Sequence, residues 1–184
     1  MPLLKDGRIA DDPWSDLPET PEPANDADAG APDIPSLDVD LIVTLDQWRD
    51  QRETLLRRNG RLGLRLASDQ PPEEIAGDLE HFDLIALEFP KFNDGRAYSY
   101  ARLLRERYGF KGELRAVGNV LRDQLFFMLR CGFDSFAVAD EKVAAAWKDA
   151  IEEIQVWYQP TADGRAPSGA LGAGFRSSRA VAAE

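Results

Sequence analysis

The sequence predicts an α/β fold: an open, doubly wound parallel sheet of about five strands, of flavodoxin or receiver type, with a flexible N-terminal linker and a C-terminal tail. Three observations carry this expectation. Between residues 38 and 159, apolar runs of strand length alternate with helical patterns through five units. Parallel neighbours need crossover connections, and right-handed crossovers layer helices on the faces of the sheet. A closed barrel of eight such units needs roughly 200 residues or more, so at most half a barrel fits the 184 residues of this chain.

The opening "LLKDGRIADDPW" sets Asp6-Gly7 between two short apolar-containing runs. Both residues tolerate positive φ, so residues 3–10 read as a small hairpin within an N-terminal segment of residues 1–14. Residues 15–37 turn to Pro, Ala, Asp and Glu, a composition that buries too little apolar surface to offset the entropy of ordering, and they read as a linker. "VDLIVTL" is the first strand of the main domain, 38–159, and Thr44 with Gln47 forms a capping-box pattern that opens a helix through about Arg58. "RLGLRLA" follows as a strand. Pro71-Pro72 with Glu73 and Glu74 predicts a second helix, acidic where its dipole is positive. "DLIALEF" is the third strand. The next helix carries Ala97, Ala101, Leu104 and Tyr108 as a buried stripe and ends at Gly109. "ELRAVG" is a strand, "VLRDQLFFMLRC" a helix stopped by Gly132, and "SFAVA" a strand. Asp140 caps a last helix, "EKVAAAWKDAIEEI", before a short edge segment "VWYQ" and a tail over 160–184.

Composition excludes several chemistries. Cys131 is the single cysteine and His81 the single histidine, so neither an internal disulfide nor a four-cysteine cluster or zinc site can form, and no metal site is expected. A Ser-His-Asp or Cys-His arrangement would have to use His81, which sits at a helix end before a strand and reads as a capping or surface residue. Cys131, late in an apolar helix, reads as a structural thiol. No stretch has the roughly 20 apolar residues of a membrane span, and the N-terminus lacks a basic region followed by an apolar run, so a cytoplasmic location is expected.

The formal net charge is −11. Residues 1–37 hold nine acids against Lys5 and Arg8, a balance of −7, whereas residues 89–130 hold nine bases against four acids, a balance of +5. An acidic chain is not a general nucleic-acid binder, yet the basic region fits an acidic partner. In an open parallel sheet, binding crevices form at the carboxyl ends of strands. "FPKFNDGR" and "VGNVLRD" reach that edge, each leading into a helix N-terminus where free N–H groups favour negative charge. Lys91, Asn93, Asp94, Arg96, Tyr98, Arg102, Asn119, Arg122 and Asp123 are therefore the candidate anion- or partner-binding residues. Arginine suits either ligand, since its planar fork pairs with oxyanions. The bland alternative is that Asn93, Asp94 and Asn119 cap helices while Arg96 and Arg122 pair with Asp123 or Asp134. Catalytic residues are not evident. Glu88 stands where a receiver's phosphoacceptor aspartate belongs, Gly118 replaces its hydroxyl residue and no lysine ends "SFAVA", which argues against a phosphorelay receiver. "GALGAG" follows no strand and opens no helix, and no Walker sequence occurs, so no cofactor is expected.

The "KDGRI" and "DDPW" opening, and then "FPKFNDGRAYSYARLLRERYGFKGELRAVGNVLRDQLFFMLRCGFDSFAV" within residues 38 to about 140, resemble a bacterial domain family of unknown function. Members of that family are often labelled oxidoreductases involved in sulfite reduction, and their genes commonly lie beside that of the sulfite reductase haemoprotein. The family pattern reads Gly after "DGR", where this chain has Ala97. The resemblance implies a place in sulfur assimilation and cysteine biosynthesis. It favours an accessory protein that docks on the sulfite reductase haemoprotein or its acidic electron carrier through a basic crevice. The alternatives are an oxidoreductase or flavin-dependent module that holds a small oxyanion, and a sulfur-metabolite sensor.

Overall fold

The computed structural model describes residues 1–18, 39–152 and 161. Residues 19–37 of the expected linker, the "VWYQ" segment and nearly all of the expected tail lie outside the described residues. Eight strands form one mixed sheet: β1 (Leu3–Lys5), β2 (Arg8–Ala10), β3 (Trp14–Asp16), β4 (Asp40–Thr44), β5 (Leu62–Leu66), β6 (Leu84–Phe89), β7 (Glu113–Gly118) and β8 (Ser135–Ala137). The helices are α1 (Leu45–Leu55), α2 (Arg96–Arg102), α3 (Leu125–Cys131), α4 (Glu141–Ala145) and α5 (Trp147–Glu152).

Strand order corrects the expected fold. The sheet runs β2-β1-β8-β7-β6-β5-β4-β3, with β3 to β8 parallel and in chain order. A doubly wound sheet requires the order to reverse once, so that right-handed crossovers cover both faces. Here the crossovers from β4 to β8 all advance in the same direction, so they fall on one face, and the crevice made by a reversal does not arise. The two faces differ accordingly. Leu64, Leu66, Ile85, Leu87, Leu114 and Phe136 form the main core with Leu45, Trp48, Ala97, Ala101, Leu104, Leu125 and Met128 of the helices. The opposite face carries a small separate cluster, Ile42, Leu84 and Ala86 with Trp14 and Val117, that contains no helix residue.

Chain connectivity explains why the sheet curls into a half-barrel. β2 and β3 lie on opposite edges, and only Asp11, Asp12 and Pro13 separate Ala10 from Trp14. Laid flat, eight strands would put those edges roughly 34 Å apart. Four residue steps reach at most about 14 Å. The edges must therefore curl toward each other, and residues 11–13 form a strap across the concave face. Asp12 on that strap meets Arg115 of β7 at 2.8 Å, in the middle of the sheet.

Local signals account for the individual elements. Asp6 (φ 50°) and Gly7 (φ 75°) make the turn between β1 and β2, the positive-φ pair that a two-residue hairpin requires. Thr44 caps α1 through a complete capping box with Gln47, whose amide also reaches the carbonyls of Leu17 and Pro18. The Pro71-Pro72 segment does not become an α-helix. It forms two short 3₁₀ turns, Pro72–Ile75 and Leu79–His81, because Gly77 interrupts a run that buries only Pro72 and Ile75 and covers Leu79 in part. α2 passes into a π-helical stretch, Leu103–Arg107, in which the Tyr108 N–H donates to the Leu103 carbonyl at 3.0 Å. Gly132, at φ 101°, ends α3 in the left-handed conformation that favours glycine.

Candidate functional site

The carboxyl ends of β5, β6 and β7 carry the loops that hold the candidate residues. In the β6–α2 loop, Arg96 donates to both Asp94 carboxylate oxygens at 3.0 and 2.7 Å and to the Ser68 hydroxyl at 2.9 Å. The Tyr100 hydroxyl donates to the Ser68 carbonyl at 3.1 Å. Arg96 is therefore a clasp that joins the loop after β6 to the loop after β5. Its guanidinium holds the Asp94 carboxyl far below the usual carboxylate range. Arg102 pairs with Glu106 one turn along, at 3.1 Å. The loop N–H groups are also engaged: Asp94 N–H donates to the Lys91 carbonyl and Asn119 N–H to the Phe89 carbonyl. Leu121 N–H donates to the Gln124 side chain. Lys91 and Asn93 are exposed on the β6–α2 loop, and Arg122 and Asp123 are exposed in the 3₁₀ turn before α3.

Tyr98 and Asp123 are brought together. Burial pushes the Tyr98 hydroxyl up to about 12, and Cys131 and Asp123 add to the shift; the ring meets Phe89 edge-on at 5.1 Å. Below pH 10 the tyrosine is neutral in both states, and between about pH 10 and 12 the unfolded chain ionises first, so stability falls as pH rises. Tyr98→Phe is expected to lose less stability than wild type across that window, measured as urea midpoints at about pH 9 and pH 11.

The bases of residues 89–130 do not form one surface. Arg105 lies under the loops, donating to the carbonyls of Gly132, Phe110 and Gly112 at 2.8–3.0 Å and pairing with Asp134. Arg130 is buried. Arg115 is on the concave face, 3% exposed, held by Asp12 at 2.8 Å and Glu113 at 3.0 Å. Glu113 in turn accepts from Lys5 and from the Ser135 hydroxyl, both at 2.6 Å. Burial alone would raise its carboxyl, but these donors outweigh it and the net shift is downward.

Above that network, at the carboxyl ends of the parallel strands, a pocket of about 370 Å³ opens in the concave face. Arg65, Glu88, Asp16 and Trp14 line it with the strap residue Asp12. Arg65 pairs with Asp16 at 2.7 Å. Gly118 forms part of the rim at φ 90°, where a Cβ would fall 2.6 Å from the Phe89 carbonyl oxygen, so only glycine lets β6 and β7 approach there. In β/α barrels this is the end at which reacting groups gather.

A family model for bacterial proteins of unknown function, DUF934, matches residues 63–168. The chain belongs to that family. The DUF934 match takes in β5 to β8, and so includes Arg65, Glu88 and Arg115 together with both candidate loops. β1 to β4, with the strap and its Asp12, precede it. No curated protein matches the chain. No helix among the described residues is long and apolar enough to cross a membrane. No group of three or more His, Cys, Asp and Glu among them is arranged to hold a metal ion. His81 packs 5.9 Å from the Trp48 ring, beside Arg52.

Sequence reasoning did not place Arg65, Arg115, Asp12 or Asp16 at a site, and named Glu88 only as a missing phosphoacceptor. The signal was the alternation inside the strands. "LGLRL" and "ELRAVG" put Arg65, Glu113 and Arg115 on the face opposite their leucines, and "LIALEF" puts Glu88 opposite Ile85, Leu87 and Phe89. Strands covered by helices on both faces read as nearly continuous apolar runs instead.

Proposed function

We propose that this protein is an accessory factor of assimilatory sulfite reduction, which docks on the sulfite reductase haemoprotein or its electron donor through the carboxyl edge of β6 and β7. The pathway part of this reading rests on the family resemblance. The docking part rests on one observation: Phe92, Leu121 and Phe127, in the two loops of that edge and the first turn of α3, are 62%, 36% and 51% exposed. Large apolar side chains set beside basic residues, as Phe92 is beside Lys91 and Leu121 beside Arg122, have the composition of an interface centre. An acidic carrier would be steered toward the exposed cations of the loops.

The test is growth of a deletion strain of the native host on sulfate, sulfite or sulfide as sole sulfur source. The expected result is growth on sulfide and at least tenfold slower growth on sulfite. Wild type restores it, and a Phe92→Ser/Phe127→Ser variant that is folded and abundant does not. Normal growth of the deletion strain on sulfite removes the pathway reading, and full rescue by the double variant removes the surface.

A further inference from the structure

We propose that residues 1–18 open from the sheet as one unit, a latch whose release uncovers the concave face while the helix-covered body stays folded. The inference concerns the face opposite the main core and stands apart from the sulfite reading.

Burial in the latch is sparse. Of residues 1–18 only Leu3, Leu4 and Leu17 are buried, at 4%, 0% and 5% exposure, and segments with few buried apolar contacts open at lower cost than the body around them. The latch is held instead by one ion pair from each of three parts: Lys5 of β1 to Glu113 at 2.6 Å, Asp12 of the strap to Arg115 at 2.8 Å, and Asp16 of β3 to Arg65 at 2.7 Å. Lys5 and Asp16 are largely in water, where such pairs contribute little. Asp12 on the buried Arg115 is therefore the catch.

Connectivity makes the opening collective. β1 pairs with β8 at one edge and β3 with β4 at the other, yet only residues 11–13 join β2 to β3. Neither edge can lift away without drawing the strap, and Asp12 with it, off Arg115. Residues 19–38 separate the latch from the body, a length that spans up to about 70 Å, so release does not drag β4. Its consequences fall on the pocket. Met1, Asp12, Trp14 and Asp16 no longer wall it. Arg65 and Arg115, which flank Ala86 at one register across β5, β6 and β7, lose the latch carboxylates and face water. The small cluster of Ile42, Leu84 and Ala86 loses its Trp14 cover.

The experiment is native-state hydrogen exchange on the full chain, read by NMR at four amides. Leu17 N–H donates to the Ile42 carbonyl at 2.8 Å and Val138 N–H to the Pro2 carbonyl at 3.0 Å; these bonds lie at opposite edges of the sheet and both break when the latch opens. Leu87 and Ala116, buried in central strands, report unfolding of the body. Leu17 and Val138 are expected to share one opening equilibrium, at least about 100-fold more favourable than that at Leu87 and Ala116. Ala101→Gly, within buried α2 contacts that the open state keeps, should speed exchange at Leu87 and Ala116 about fivefold or more and leave Leu17 and Val138 unchanged. Asp12→Asn, which weakens the closed state against every opening, should speed Leu17 and Val138 by one common factor of at least about ten. Equal protection at all four amides of the wild type overturns the proposal, since latch and body would open only together. So does unequal opening at Leu17 and Val138, which would mean that each edge frays alone, or exchange at either that follows Ala101→Gly or ignores Asp12→Asn. Should a variant not fold, the four wild-type amides decide alone.

Discussion

Arg115→Leu is expected to lower stability by about 3 kcal/mol, a fall in Tm of about 6–12 °C for a domain of this size. Arg115 is 3% exposed and joins the strap to β7 through Asp12, and β7 to β8 and β1 through Glu113 and its partners. Removing it takes a cation from two carboxylates at once. The loss sits at the low end of the range for a broken buried pair, because Glu113 keeps Lys5 and Ser135. Urea unfolding measures it, and a double-mutant cycle with Asp12→Asn apportions it: the double variant is expected to lose less than the sum of the single ones, since each already breaks the same contact. An additive cycle would mean that the strap is not coupled to the sheet through this pair. The pH dependence provides a second readout. The Glu113 carboxyl is lowered in the fold from its ordinary value of 4.5, so its contribution is complete above that pH and is lost as pH falls through the folded value. Arg115 is one of the groups that lower it, and the gap between variant and wild type should therefore narrow on acidification below about pH 4.5.

Trp48→Ala is expected to cost about 3–5 kcal/mol, the usual range for truncating a large buried aromatic. Trp48 is 2% exposed on α1 and meets Phe82 edge-on at 4.8 Å. Its indole N–H donates to Asp78 at 3.0 Å, and Arg52, stacked over the ring at 5.3 Å, pairs with the same carboxylate at 2.6 Å. The side chain thus pins α1 to the 3₁₀ turns between β5 and β6. Trp48→Phe keeps most of the buried area and should cost only about 1 kcal/mol for the lost hydrogen bond. Thermal unfolding of the two variants separates packing from the polar contact. Equal losses would assign the effect to the hydrogen bond instead.

Much of the secondary structure was written in local patterns. The Thr44 and Gln47 pair marks the start of α1, Gly132 marks the end of α3, and "ELRAVG" coincides with β7. Each signal acts within a few residues, through a cap, a turn or a two-residue alternation. The 3₁₀ turns after Pro71 show the limit of such signals: proline and acidic residues favour a helix start, but the segment lacks the apolar stripe that would hold a helix against the sheet.

The candidate site divides in the same way. That loops at the carboxyl ends of β6 and β7 would hold basic and amide side chains was legible from the order of strands and helices. That Arg96 closes on Asp94 and Ser68 was not, because Ser68 lies 28 residues away across two 3₁₀ turns and a strand. The pocket was still further from view, since its residues come from the strap and from every strand from β3 to β8.

By itself, the sequence determined the β1–β2 hairpin and the five strands from β4 to β8, but not β3, which runs into residues read as linker; it also determined that one cysteine and one histidine leave little scope for metal or thiol chemistry. Tertiary structure decided strand order. Alternating strands and helices demand crossovers but not their direction, and only the assembled sheet shows that those from β4 to β8 all advance the same way. It also decided that three residues between β2 and β3 must close the distance across the sheet, which curls it and brings Asp12 onto Arg115, 103 positions later in the chain. The physical reason is range: caps, turns and periodicity act over a few residues, whereas strand order and curvature are set by closure and burial among segments far apart in sequence.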